Sequence, residues 1–163
     1  MGAAKSISEL QRKLMDIVNS VMVNDVAPMV IDKAIEVGGK VVYDSYSASP
    51  MVYVRRGLGE GDGLLGKDSY STENTSDGTI EVRSIADINP NFPPLPGYSV
   101  DSLAGLIEGG PGPRSFYKEA HHSTGSFRKP RPFITETIKE LSESDECADA
   151  LKKGLRKRGL IVE

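Results

Sequence analysis

SISELQRKLMDIVNSVMVNDVAPMVIDKAIEVGGKVVY, residues 6–43, decides the fold of this chain. Ser6 and Glu9 form a capping box, in which hydroxyl and carboxylate satisfy each other's backbone amides, so a helix begins at about Ile7. Ile7, Leu10, Leu14, Ile17, Val18 and Val21 then recur at three and four residues, and Val30, Ala34, Val37 and Val41 resume the pattern. One apolar stripe therefore runs through both halves. Pro28 lacks an amide donor and its ring collides with the preceding turn, so a kink or break is expected between Asp25 and Pro28, with a second helix to about Tyr43. A helical element of this length must lie across something flat.

The flat partner comes from the middle third. Met51–Arg56, Ser69–Thr75 and Thr79–Ala86 are rich in β-branched and aromatic residues. Asp77-Gly78 reads as a type I′ hairpin turn, which pairs the last two segments antiparallel. Ile80 and Val82 alternate with Glu81 and Arg83, the pattern of a sheet with one wet face. The long helix covers the other. These elements define an α+β fold in which a long kinked N-terminal helix packs on a small antiparallel sheet.

The remaining sequence supplies connections and a closing helix. NPNFPPLPG, residues 89–97, holds too many prolines for a regular element and leads to a short helix, Val100–Glu108, ended by Gly109 and Gly110. A second long loop covers 111–130. Pro132 suits the first turn of a C-terminal helix whose stripe is Ile134, Ile138, Leu141, Ala148, Leu151 and Leu155. With 163 residues, 38% hydrophobic content and no Trp, the chain suits a single domain, 1–163, with a thin core. No internal repeat is visible.

Arg55–Lys67, RRGLGEGDGLLGK, nearly spells a phosphate-binding loop. Gly61 to Lys67 fits the spacing, but Asp68 stands where a hydroxyl must hold magnesium, and strand-like sequence follows where a helix should open. Gly57, Gly59, Gly61 and Gly63 make 57–66 a flexible loop, since glycine loses the most entropy on ordering. An arm ordered by a partner is the expectation.

Other chemistry is sparse. His121 and His122 are adjacent and point apart, so with Glu119 or Asp87 they make no ready metal site. No G-x-S-x-G elbow exists, and Cys147 has no histidine partner nearby in sequence. No catalytic residue, cofactor or metal is expected. No run of about 18 apolar residues is evident, so no membrane span is expected, and the N-terminus lacks the apolar core of a signal peptide. The formal net charge of −3 gives no global attraction to nucleic acid. Acid between Glu136 and Asp149 and base between Lys152 and Arg158 complement a helix macrodipole.

The order of parts resembles a known family. Tyr43-Asp-Ser-Tyr46-Ser-Ala-Ser-Pro50 precedes Tyr53-Val-Arg-Arg-Gly57, then a glycine loop, hairpin strands, Leu103-Ala-Gly-Leu-Ile-Glu108-Gly-Gly and Arg131-Pro-Phe-Ile134 before a closing helix. Over residues 30–160 this is similar to the minor tail component family of tailed bacteriophages, the neck or tail-completion proteins. The interval from Gly109 to Lys129 is longer than in typical members. The resemblance implies a structural virion protein without enzymatic activity, made in the host cytoplasm and built into a homo-oligomeric ring, six-fold, at the head–tail junction. Connector or stopper, tail-terminator and tail-tube proteins would be its neighbours.

On that reading Tyr53, Arg55, Arg56, Phe116, Tyr117, Phe127, Arg128 and Arg131 are interface candidates, being of the types enriched in interface anchors. Tyr43, Tyr46 and Tyr53 equally suit a half-buried core. Lys152, Lys153, Arg156, Lys157 and Arg158 are candidates to face DNA in the lumen through sequence-independent phosphate contact. Two other classes compete. A nucleic-acid-binding module would use the same basic end and bind in a salt-dependent way, and a small hydrolase would need ionisable groups converging in a pocket.

Overall fold

In the computed structural model of the chain, residues 6–44, 64–75, 78–85, 107–108 and 131–162 are described. The Ser6 hydroxyl accepts the Glu9 amide at 3.2 Å and opens α1, Ile7–Val21, where the capping box places it. Glu9 meanwhile pairs with Lys13 at 2.8 Å, one turn on.

Pro28 does not break the helix. A π-helical segment, Met22–Val26, precedes α2, Ala27–Gly38, and the Ala27 amide reaches back five residues to the Met22 carbonyl. Proline offers no amide and collides with the carbonyl four residues earlier; the wider turn relieves the collision while the backbone stays right-handed. A second π segment, Gly39–Asp44, follows α2. The expected kink is thus one widened turn in a single rod, Ile7–Val42, of 36 residues, or about 54 Å at helical rise. By length and composition alone this rod is apolar enough to cross a membrane, contrary to the expectation from sequence. Its Asp25 and Lys33 are ion-paired to the C-terminal part of the chain, and of its stripe Val21, Ala34 and Val37 are buried while Ile7, Leu10 and Leu14 are exposed.

Two strands, β1 (Tyr70–Asn74) and β2 (Ile80–Ser84), pair antiparallel with Thr72 opposite Val82. Ile80, Val82 and Ser84 are half-buried while Glu81 and Arg83 are exposed, as the alternation requires. The turn is one residue longer than a type I′ hairpin. The Thr75 amide bonds the Thr79 carbonyl at 2.9 Å, so three residues lie between, and Gly78 takes the left-handed position at φ +86°. A Cβ on Gly78 would lie 3.5 Å from Met15 Sδ and 3.7 Å from Val18, which seats the hairpin tip on α1. The expected strand at 51–56 and the loop at 89–97 lie outside the described residues.

The single C-terminal helix expected from the stripe is two helices, α3 (Phe133–Glu143) and α4 (Glu146–Lys157). Ser144 is extended, at φ −119° and ψ 159°, and ends α3. Lys33 sets the geometry of this corner. Its largely covered ammonium lies 2.9 Å from Glu146, 3.6 Å from Glu140 and 3.7 Å from Glu36, tying α2 to both C-terminal helices. The hydrogen bond it donates to Glu146, with the charges of all three carboxylates, raises its pKa above the usual lysine value.

The core centres on Val37, Val42, Leu64 and Phe133, with Val41, Leu65 and Ile107 against it. Leu64 is fully buried and Gly66 is covered, so the arm expected at 57–66 cannot include its last three residues. Leu64 is anchored because apolar contact outweighs the freedom of the glycines before it, and the Tyr70 hydroxyl donates to its carbonyl at 3.1 Å. Lys67, the lysine of the near P-loop, pairs with Asp32 instead of standing free for a phosphate.

Candidate functional site

The two halves of one sequence signature, far apart in the chain, meet in space. Glu108 belongs to one and Arg131-Pro132-Phe133-Ile134 to the other. Pro132, at the head of α3, offers no side-chain cap. The Glu108 carboxylate supplies it from elsewhere, accepting the Ile134 amide at 2.8 Å and the Thr135 amide at 3.0 Å, with the Thr135 hydroxyl also donating to it. A carboxylate there satisfies two orphan amides and meets the positive end of the helix dipole.

Arg131 completes this clasp. Its amide donates to the Ile107 carbonyl at 2.9 Å, and its guanidinium reaches the Val42 carbonyl at 3.4 Å, at the C-terminal end of the long rod. Phe133, next but one, is buried against Val37, Val42 and Leu64. The clasp therefore joins the end of the rod, the residues before 109 and the residues after 130. Ile107 and Arg131, on either side of 109–130, are hydrogen-bonded to each other.

A second site forms where the first π segment meets α4. Asp25 accepts Arg158 Nη1 at 2.7 Å and Lys157 Nζ at 2.9 Å. The same guanidinium donates to the Gly154 carbonyl at 3.0 Å and to the Ser20 carbonyl and hydroxyl at 3.2 Å each. Hydrogen bonds from Lys157 and then Arg158 hold the Asp25 carboxyl below its usual pKa. Gly154 makes the approach: a Cβ there would stand 2.4 Å from Val21 Cγ1 and 3.0 Å from an Asp25 oxygen.

The basic end is therefore mostly committed. Lys157 and Arg158 belong to this latch, and Arg156 binds the Val162 carbonyl at 2.9 and 3.2 Å. Lys152 is half-buried and Lys153 exposed, with no ion pair among the described residues. Of the five basic residues expected to face DNA, Lys157 and Arg158 share the single carboxylate of Asp25, 132 positions before Lys157, while Lys152, Lys153 and Arg156 have no carboxylate partner among the described residues. Of the interface candidates, Arg131 lies in the clasp, while Tyr53, Arg55, Arg56, Phe116, Tyr117, Phe127 and Arg128 lie outside the described residues. So do His121, His122, Glu119 and Asp87. Among the described residues no group of His, Cys, Asp or Glu side chains is arranged to hold a metal. Cys147 is half-buried, and burial pushes its thiol pKa up, away from thiolate chemistry.

Sequence reasoning missed Glu108, Asp25 and Gly154. The signals were present: a carboxylate just before a Gly-Gly pair, an acid interrupting an apolar helix, and a lone glycine inside a helical stripe, which usually marks close packing.

The class defined by these features is an α+β protein in which one long helix carries a hairpin and two clamped C-terminal helices. The chain belongs to the YomN family, whose model matches residues 6–157. That span starts at the cap of α1 and stops at the last residue of α4, so it takes in the clasp and all of the latch except Arg158. No curated protein and no solved structure among those compared matches the chain.

Proposed function

We propose that this protein is a structural virion component, assembled as a homo-oligomeric ring at the head–tail junction of a tailed bacteriophage, between connector and tail tube. One observation carries the reading most of the way. Of the two signatures on which the family resemblance rests, one, Glu108-Gly followed at a distance by Arg131-Pro-Phe-Ile134, supplies both halves of the clasp. Residues linked in this way form one structural unit, so their joint occurrence has a physical cause.

The clasp also suits an assembly role. A segment whose two ends are pinned to a rigid body can engage a neighbour without disturbing the core, because the ordering cost falls on the segment alone. The residues that flank 109–130 are held in the clasp, and those that flank 45–63 are the end of the rod and buried Leu64.

The test is mass determination by light scattering across concentration, with and without connector and tail-tube proteins. Ring-sized species, or a monomer that joins a ring only with those partners, is the expected result. A monomer indifferent to them would sink the reading. Replacing residues 112–128 by a short Gly/Ser linker is expected to leave urea unfolding unchanged and to abolish incorporation. The nucleic-acid-binding reading predicts salt-dependent DNA binding by the isolated chain; Asp25 offsets one of the five positive charges at its basic end.

A further inference from the structure

The corner between α3 and α4 is made of residues that do not demand one. Ile134, Leu141, Ala148 and Leu155 stand seven apart, and Thr137, Ser144 and Leu151 follow the first three of them by three residues. That alternation of three and four is the period of one helix, and it passes straight through the break. No proline or glycine lies between Phe133 and Lys153. Local bonds do not close the corner either. Asp145 stands at the cap of α4 without capping it, and the Ser144 hydroxyl is buried with no hydrogen-bond partner among the described residues. In a continuous helix that hydroxyl would donate to the Glu140 carbonyl, one turn back.

The rod imposes the corner. Lys33 holds Glu140 before the break and Glu146 after it, at 3.6 and 2.9 Å, and Asp25 holds Lys157 and Arg158 at the far end of α4. Gly154 is pressed on Val21 between these grips. α3 has its own anchor in Phe133 and the clasp, which involve no residue of α4. α4 can therefore leave the rod while α3 stays. Its leaving frees Ser144 and Asp145 to join the two helices into one, from Phe133 to Lys157.

We propose that α4 is an exchangeable element: α3 and α4 straighten into one helix, and the α4 of one copy occupies the latch of another. The site itself fixes the occupant. Asp25, Ser20 and Val21 fit the Lys157, Arg158 and Gly154 of α4 whichever copy supplies them, with room at position 154 only for a residue without a Cβ. Within one copy α4 is tethered beside its site, at an effective concentration on the order of millimolar, so the free protein in dilute solution keeps its own. Copies held side by side lose that preference. The exchange takes place between copies of this chain alone and does not rest on the virion reading.

The experiment uses full-length chains with opposite latches, Asp25→Lys in one, and Lys157→Glu with Arg158→Glu in the other. Each alone sets like charges together at the latch, within a chain and between chains. In an equimolar mixture, exchange sets the new lysine against the new glutamates and leaves the native Asp25 of one chain with the native Lys157 and Arg158 of the other. Light scattering is expected to show 1:1 complexes in the mixture, formed about tenfold or more tightly than any association of either chain alone, the least that a close charge pair across an interface gives. The complexes persist in about 1 M salt, where attraction between exposed charges is screened within about 3 Å. Asp145→Pro in both chains tests the hinge. Ser144 is already extended, as a residue before proline must be, and proline at 145 suits the φ of −88° there but cannot lie inside a continuous helix. It is expected to abolish the complexes, while an otherwise wild-type chain that carries it keeps its urea midpoint. A mixture that stays monomeric, complexes that dissolve in salt, or complexes that form equally well with proline at 145 would each overturn the exchange.

Discussion

The two π segments of the rod make the same backbone manoeuvre and serve it in opposite ways. Gly39–Asp44 carries Val42 into an apolar cluster with Val37, Leu64 and Phe133. Met22–Val26 carries Asp25 to two cations at the C-terminal end of α4, Lys157 and the cap residue Arg158, and close backbone contact at Gly154 replaces bulk. Each widened turn receives one C-terminal helix. The lesson is that the insertion of one residue in a turn fixes where a helix is gripped, while the side chains there decide whether area or charge does the gripping.

The comparison breaks first at the apolar end. Phe133→Ala is expected to cost about 3–5 kcal/mol of stability, and Leu64→Ala about 2–5, since both are fully buried and their sites are held open by neighbours. Urea unfolding followed by circular dichroism measures both. Next comes Gly154→Ala, where the added methyl must displace Val21 or Asp25, an overpacking worth about 1–3 kcal/mol. A variant as stable as the wild type would show that α4 moves off the rod freely.

Glu108→Ala sharpens the contrast from the clasp side. Loss of the borrowed cap is expected to destabilise by about 0.5–2 kcal/mol and to speed hydrogen exchange at Ile134 and Thr135 ahead of the rest of α3. The finest difference concerns pH. Asp25 has a lowered pKa in the folded chain, so its contribution is present above the ordinary carboxylate value and is lost as pH falls through the lower folded one. Asp25→Asn should therefore flatten the acid limb of a stability–pH profile, and Phe133→Ala should lower the whole profile without changing its slope there.

How much of this was legible in the sequence depended on whether the cause was local. The α1 cap, the alternation of Ile80 and Val82, and the need for glycine at position 78 each follow from interactions within a few residues, and each is where the letters put it. The π segments were not legible, because an i to i+5 turn has no composition of its own; only Pro28 hinted at one, and it suggested a kink. The break at Ser144 was masked by an apolar stripe that stays in phase across it. Leu64 sits next to four spaced glycines, which advertise freedom, and only the arrival of Phe133 reveals it as core. Of the candidate site residues, Arg131 was identified without its role, since its partners Val42 and Ile107 are distant in sequence.

The latch has a consequence for the order in which the protein is made. Lys157 and Arg158 follow Asp25 by 132 and 133 positions. At synthesis rates of about 5–20 residues per second, roughly 7–26 s separate the emergence of Asp25 from that of its cations. Throughout that interval the rod has its cap and its helical spacing, yet its stripe waits for the two helices that will cover it. The first element of this fold to be synthesised is the last to be finished, and the ribosome-bound chain is the form in which its apolar face is most open to chaperones and to its own siblings.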